Sequence, residues 1–277
     1  MGAISGYLGK VDGVHTVARW RISSSVDLKA VVASNTKKGT ITLGGVQDWE
    51  GSYEAFGGAP QKLPNDAFTF KGSLDGAVNV SGPVRCSSVE IVIDIENGEP
   101  IRHTVNFSAN GVLTISESSA VTDATVPSPP SSLGCKLEHS LLAATETYVE
   151  QADVRTITIR ISANQASYSG SSSSGYMQRV AGPINVEVTW SKYIANGTEF
   201  LVKNSVYILK VYVTATTFWH FKWMRIGSIS DIDTDMEGAT IIGGTTVSGM
   251  CGFADVPPTP TPTEGFIKKP DATTYWP

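Results

Sequence analysis

Cysteine, histidine and charge are all scarce in this chain, and each scarcity narrows what it can do. The three cysteines, Cys86, Cys135 and Cys251, are too few and too scattered for a disulfide framework or a zinc site, so they read as buried thiols in a reducing compartment. The four histidines, His15, His103, His139 and His220, lie in separate segments without metal-ligand spacing. Charged residues are 17% of the chain, and 26 acidic against 21 basic side chains exclude the broad cationic surface that nucleic-acid binding needs. Apolar runs are short of membrane-spanning length, so no membrane partner is expected. The opening "MGAISGYLGKVDG" lacks a basic segment followed by an apolar run, which points to synthesis in a cytoplasm. No nucleophile elbow, H-E-x-x-H, phosphate-binding loop or dinucleotide glycine pattern is present, and neither an enzyme nor a cofactor or metal requirement is expected.

Strand patterns fill the space those absences leave. "VHTVARWRI", "GTITLGG", "AFTFKGSL", "SVEIVIDI", "HTVNFSA", "VRTITIRISA", "INVEVTW" and "SVYILKVYVTA" alternate or run β-branched, with Gly, Pro, Asn and Asp clusters between them. The expected fold is all-β. Asn-Gly pairs at Asn110 and Asn196 predict hairpins. The best helix candidate is Ser140 to Ala152, weakened by its threonines. "SGSSSSG", Ser169 to Gly175, predicts a mobile hairpin tip. The prolines of "ATVPSPPSSLG" cannot sit inside a sheet and mark 124–134 as a linker between a first β-domain (1–123) and a second (135–255). Residues 256–277 read as an extended Pro-rich arm anchored near Trp276, held down by a neighbouring subunit.

"SDIDTDMEGATII", from Ser230, raises the question of calcium. A calcium hand starting at Asp231 would need Gly at its sixth position and Glu at its twelfth, where Met236 and Ile242 stand. Alternating carboxylates flanked by strand-like sequence instead predict a strand with an acidic face. A similar phrase, "VIDIENGEPI", occurs earlier. Ile93-Asp94 precedes Ile232-Asp233 by 139 positions (232 − 93), and "NDAFTFK" precedes "NSVYILK" by the same spacing. Order, spacing and facing agree, which predicts one β-domain written twice. On the first copy Glu90, Asp94 and Glu96 are expected opposite Val89, Ile91, Ile93 and Ile95. Asp48 and Glu50, flanking Trp49, share a strand face without any other feature of a sugar cleft.

"GGVQDWEGSYEAFGGAPQKLPNDAFTFKGSLDG" followed by "VEIVIDIENGEPIRHTVNFSANGVL" resembles the tail tube and major tail proteins of tailed bacteriophages, over roughly residues 1–116. The resemblance implies a β-sandwich-like fold whose subunits join sheets into rings that stack into a DNA-conducting tube. Such a protein is made in the host cytoplasm and resides in the virion tail, with other tail proteins and passing genomic DNA as partners. Family rings are hexameric, so a two-domain chain implies a trimer with pseudo-sixfold symmetry, whereas a tube domain carrying a decoration domain implies a hexamer. Asp94, Glu96, Asp233 and Asp235 are the candidate lumen-facing carboxylates. Two other readings are a capsid-decorating protein and a carbohydrate- or receptor-binding module that stacks ligands on Trp49, Tyr53 and Phe56.

Overall fold

A computed structural model describes residues 10–14, 16–31, 40–73, 79–116, 129–142, 146–194, 201–234, 243–251, 266–270, 272–273 and 275–276, with backbone alone at 194, 230–234, 243–248, 250 and 251. The fold is all-β. The first half contributes β1 (Lys10–Val11), β2 (Val17–Val31), β3 (Ile41–Phe56), β4 (Ala67–Ser73), β5 (Asn79–Asp94), β6 (Arg102–Ala109) and β7 (Thr114–Ser116). The second contributes β8 (Leu137–Leu141), β9 (Val149–Glu150), β10 (Val154–Ala163), β11 (Ala166–Tyr168), β12 (Gln178–Val180), β13 (Ile184–Ile194), β14 (Val206–Tyr212), β15 (Phe218–Thr234), β16 (Gly243–Cys251) and β17 (Ile267–Lys268).

One long sheet joins both halves in the order β2-β3-β6-β5-β10-β13-β16-β15-β14-β8-β9, curled into a half-barrel. Within it the strand order repeats. β2-β3-β6-β5-β4 in the first half corresponds to β10-β13-β16-β15-β14 in the second, with the same chain order. β4 and β14, and the starts of β5 and β15, are each 139 positions apart (206 − 67 and 218 − 79).

Irregularities repeat as well, which a generic meander would not require. The β2–β3 ladder shifts register between Val17 and Arg19, and the β10–β13 ladder between Val154 and Thr156. The β5–β6 ladder shifts between Cys86 and Ser88, and β15–β16 between Ile226 and Ser228. Asn65 and Asn204 both take positive φ, which Asn tolerates better than most residues. Asn65 N donates to Cys86 O (2.8 Å) and Cys86 N to Asp66 O (2.9 Å). Asn204 N to Ile226 O (2.9 Å) and Ile226 N to Ser205 O (3.2 Å) are their counterparts. One further bulge between Tyr207 and Leu209, with Trp223 at φ 54°, shifts the spacing by one residue.

The halves meet through β5 and β10, which pair antiparallel from Ser88↔Ser162 to Asp94↔Thr156. Val89, Ile91 and Ile93 lie opposite Ile161, Ile159 and Ile157, and all six are buried. Val186, Val188 and Trp190 of β13 continue the apolar row. Each such aliphatic side chain contributes about 1.5–3 kcal/mol by leaving water, so this seam is core and not a hinge. Trp219 ties the halves a second time, its Nε1 donating to Gly58 O at 2.7 Å.

Several expectations need correction. The helix expected at 140–152 is absent over the described residues: Ser140 and Leu141 end β8, and Val149–Glu150 form β9. The two ends of the segment instead complete a sheet edge, with β8 pairing β14 and β9. Asn110-Gly111 does not close a hairpin, because β6 and β7 both pair with β5 and not with each other. Asn196 lies outside the described residues. The Ser-rich tip forms a one-turn 3-10 helix, Ser171–Ser173, and it docks on β3: Gln47 N donates to Gly175 O (2.8 Å) and Met177 N to Gln47 O (2.9 Å).

The described part of the linker is equally fixed, since Ile101 N donates to Pro130 O (3.1 Å) and Ser132 Oγ to Asp94 O (2.5 Å). At the C-terminal arm, β17 pairs with β15 and Trp276 N donates to Ile267 O (2.6 Å). The chain itself holds the described end of this arm, where a neighbouring subunit was expected.

Candidate assembly interface

Two regions of the described surface are built like interfaces. The first is the far end of the β2–β3 hairpin. β6 pairs with β3 only from Glu50 to Phe56, so among the described residues 26–31 and 41–44 pair only with each other. This projecting ribbon exposes Val26, Leu28, Val31, Ile41 and Leu43, with Leu28 60% and Leu43 51% accessible. Val31 lies opposite Ile41, and Leu43 is two residues on, so these three share one face. A two-stranded ribbon is marginal in water without a partner surface, and a cluster of exposed aliphatics marks a contact region.

The second region is the pair of open sheet edges. β2 pairs only with β3, leaving its other edge unpaired among the described residues. Past Arg225, β15 pairs with β16 but leaves β14 behind, so the opposite edge of residues 228–234 is open in the same sense. Unpaired edges of this length invite another strand.

The polar face of the sheet is rich in hydroxyls and balanced in charge. Thr104 on β6, Thr156 and Thr158 on β10, and Thr189 and Ser191 on β13 occupy it by register. Arg19 pairs with Glu54 (2.6 Å), which Arg102 also approaches (3.6 Å), and Arg160 pairs with Glu90 (3.3 Å). The alternation expected on β5 holds through Asp94: Val89, Ile91 and Ile93 are buried, while Glu90 and Asp94 are half-buried. It stops there. Glu96 lies beyond the strand, in the turn that Gly98 completes at φ 64°. Asp94 caps that turn, accepting from Asn97 N (3.2 Å) and Nδ2 (2.8 Å).

Glu96 accepts from Arg155 Nε and Nη2 (2.9 and 2.6 Å) and from Tyr193 Oη (2.5 Å), and these donors hold its carboxyl below the usual range. Asp233 sits in β15 opposite Gly244, and Asp235 lies outside the described residues. Asp94 and Glu96 therefore do not share one acidic strand face. Sequence reasoning missed Arg155 and Tyr193 because their approach to Glu96 depends on the β5–β10 pairing.

Other candidates lose their chemistry to burial. Trp49 and Tyr53 are 2% and 1% accessible, and Trp49 Nε1 donates to Gly111 O (2.8 Å), so two of the three proposed stacking platforms face the core. Asp48 is paired with Arg179 (2.6 Å). Cys86 and Cys135 are buried free thiols, and desolvation raises both, Cys135 to about 11. Among the described residues no group of three or more His, Cys, Asp or Glu side chains is placed to hold a metal ion. A cavity of about 340 Å³ between the halves is walled by Phe56, His103, Pro130, Val213 and Thr217. His103 Nδ1 is already engaged with Gly57 O at 2.7 Å. No helix among the described residues is long and apolar enough to cross a membrane.

Two buried histidines make the fold sensitive to acid. His220 lies between Tyr148 Oη (3.0 Å to Nε2) and Tyr275 Oη (2.5 Å to Nδ1). Burial pushes its pKa down to about 4, Glu146 opposes the shift, and Lys210, Lys222 and Lys268 add to it. Burial likewise lowers His103. A histidine that is neutral when folded takes up its proton more readily when unfolded, so stability falls as pH drops from about 6.5 toward 4. Thermal melts at pH 7 and pH 4.5 should differ by at least roughly 5 °C. His220→Gln should shrink that difference, and an unchanged difference would remove His220 from the account.

No protein-family model matches the chain, and no curated protein matches it. The functional reading therefore rests on the geometry and on the resemblance of residues 1–116.

Proposed function

We propose that this chain is a structural subunit that polymerises with copies of itself into stacked rings, forming the DNA-conducting tail tube of a tailed bacteriophage. The observation that carries the proposal is the continuous sheet: two halves of one strand order are joined edge to edge, and the outer edges are unpaired among the described residues. Repeating that junction between chains extends the sheet into a ring. Two repeats per chain and six per ring give a trimer. The projecting β2–β3 ribbon, with its exposed aliphatics, supplies the contact to the next ring. Its residence in the virion tail follows from the same reading.

The hydroxyl-rich polar face suits the lumen. Arg19, Arg102 and Arg160 on this face are tied to carboxylates, which limits the free cations that would capture phosphates and slow the passing polymer. Asp94 and Asp233 belong to this face in the proposed arrangement, while Glu96 serves to fix the turn after β5.

Negative-stain electron microscopy of the concentrated full chain tests the proposal. Hollow tubes of stacked rings are the expected result. Discrete particles that coat empty capsids and never form tubes would replace it with the capsid-decorating reading.

A further inference from the structure

Every chain contains one worked example of how two repeats join, and its mate is absent at both ends. Around the sheet, the repeated bulges set the correspondence residue by residue. Val17 and Arg19 correspond to Val154 and Thr156, and Cys86 and Ser88 to Ile226 and Ser228. β2 thus occupies in the first half the place that β10 occupies in the second. β15 occupies in the second half the place that β5 occupies in the first. β10 and β5 pair with each other, whereas the outer edge of β2 and the corresponding edge of β15 are both unpaired among the described residues.

We infer that β15 of one chain pairs antiparallel with β2 of the next, in the register of the β5–β10 seam, with Ser228 opposite Ser25. This rests on the ring-forming reading above and deepens it by naming the two edges and their alignment. Ser88↔Ser162 in the seam becomes Ser228↔Ser25, Val89↔Ile161 becomes Ile229↔Ser24, and Glu90↔Arg160 becomes Ser230↔Ser23. The irregularity between Ser230 and Asp233 adds one residue to β15, so Val92↔Thr158 becomes Asp233↔Arg21. An acidic position thereby meets a basic one across the junction, a favourable cross-strand pairing.

Two further observations fit this junction. Trp20, Ile22 and Ile229 pack against the core yet stay only partly buried at the open edges. In the seam, the corresponding row of Val89, Ile91, Ile93 and their β10 partners is fully covered. The edges also carry little that would repel a strand. Serines occupy positions 23, 24, 25, 228 and 230, no proline interrupts either strand, and Ser25 and Ser228 are exposed. The occupant is a second copy because the complementary edge is on the chain itself and six strands separate β2 from β15 within one molecule.

Disulfide trapping on the full chain tests the register. Directly opposed residues in an antiparallel pair have Cα atoms about 4.5–5.5 Å apart, within disulfide reach, and a slip of one residue turns the side chain to the other face. The double variant Ser25→Cys/Ser228→Cys should give covalent dimers and trimers on oxidation that collapse to monomer on reduction. Ser24→Cys/Ser228→Cys should give at least ~10-fold less product. Tubes that form normally while the first variant yields no cross-link would overturn the junction and leave the tube reading standing. Equal or better cross-linking through position 24 would overturn the register. Failure of the unmodified chain to assemble at high concentration would overturn the junction and the tube reading together.

Discussion

Trp219→Ala should lower the stability of the chain by about 3–5 kcal/mol, the largest single-site effect expected outside the β5–β10 seam. Trp219 is fully buried, lies parallel to Phe221 with 6.0 Å between ring centroids, and donates its indole N–H to Gly58 in the other half. Truncation opens a cavity, removes that donor and leaves the Gly58 carbonyl unpaired. At about 2–4 °C per kcal/mol, the melting temperature should fall by roughly 10 °C. Trp219→Phe keeps most of the volume and loses only the donor, so it should cost less than half as much. Thermal denaturation followed by tryptophan fluorescence and circular dichroism separates the outcomes. A fall of only ~2 °C for the alanine variant would mean that the two halves do not depend on this contact.

Leu28→Asp combined with Leu43→Asp should abolish assembly while leaving the subunit folded. Both side chains project from the β2–β3 ribbon and are more than half exposed, so their replacement removes little from the core. In a stacked ring each would bury at a contact worth about 1.5–3 kcal/mol, and a charge there costs more. The concentration needed for polymerisation should rise at least ~100-fold, read by sedimentation of assembled material. The melting temperature of the dispersed subunit should change by less than ~2 °C. Unaltered sedimentation would take the ribbon out of the assembly account. A collapsed melting temperature would show that the ribbon is part of the fold.

Much of this architecture was legible because strand periodicity is local. Val89, Ile91 and Ile93 alternate with Glu90, Val92 and Asp94, and the structure buries the first set. The 139-residue spacing between "NDAFTFK" and "NSVYILK" matches β4 and β14 with no adjustment. What depended on pairing was not legible. Nothing local told that β5 would take β10 as a neighbour, and the environment of Glu96 follows from that choice through Arg155 and Tyr193. The strand also stops at Asp94 because Ile95–Gly98 forms a turn, so counting by twos fails one step later.

Burial of aromatics was equally hidden. "DWEGSYEAF" reads the same whether Trp49 faces solvent or core, and only the pairing of β3 with β6, beneath Phe107, decides it. The misread segment from Ser140 to Ala152 shows the converse. Its helix preference, already weakened by threonine, was outweighed by the hydrogen bonds that β8 makes with β14 and with β9.

The central claim is that chains join as the two halves join, so that three of them close a ring. Native mass spectrometry of the smallest closed species measures this directly. The account predicts a mass of about 88 kDa, three chains of 29.4 kDa. A closed species of six chains would contradict the pairing of two repeats per chain with six per ring, and a monomer that persists at the highest concentration would contradict edge-to-edge assembly altogether.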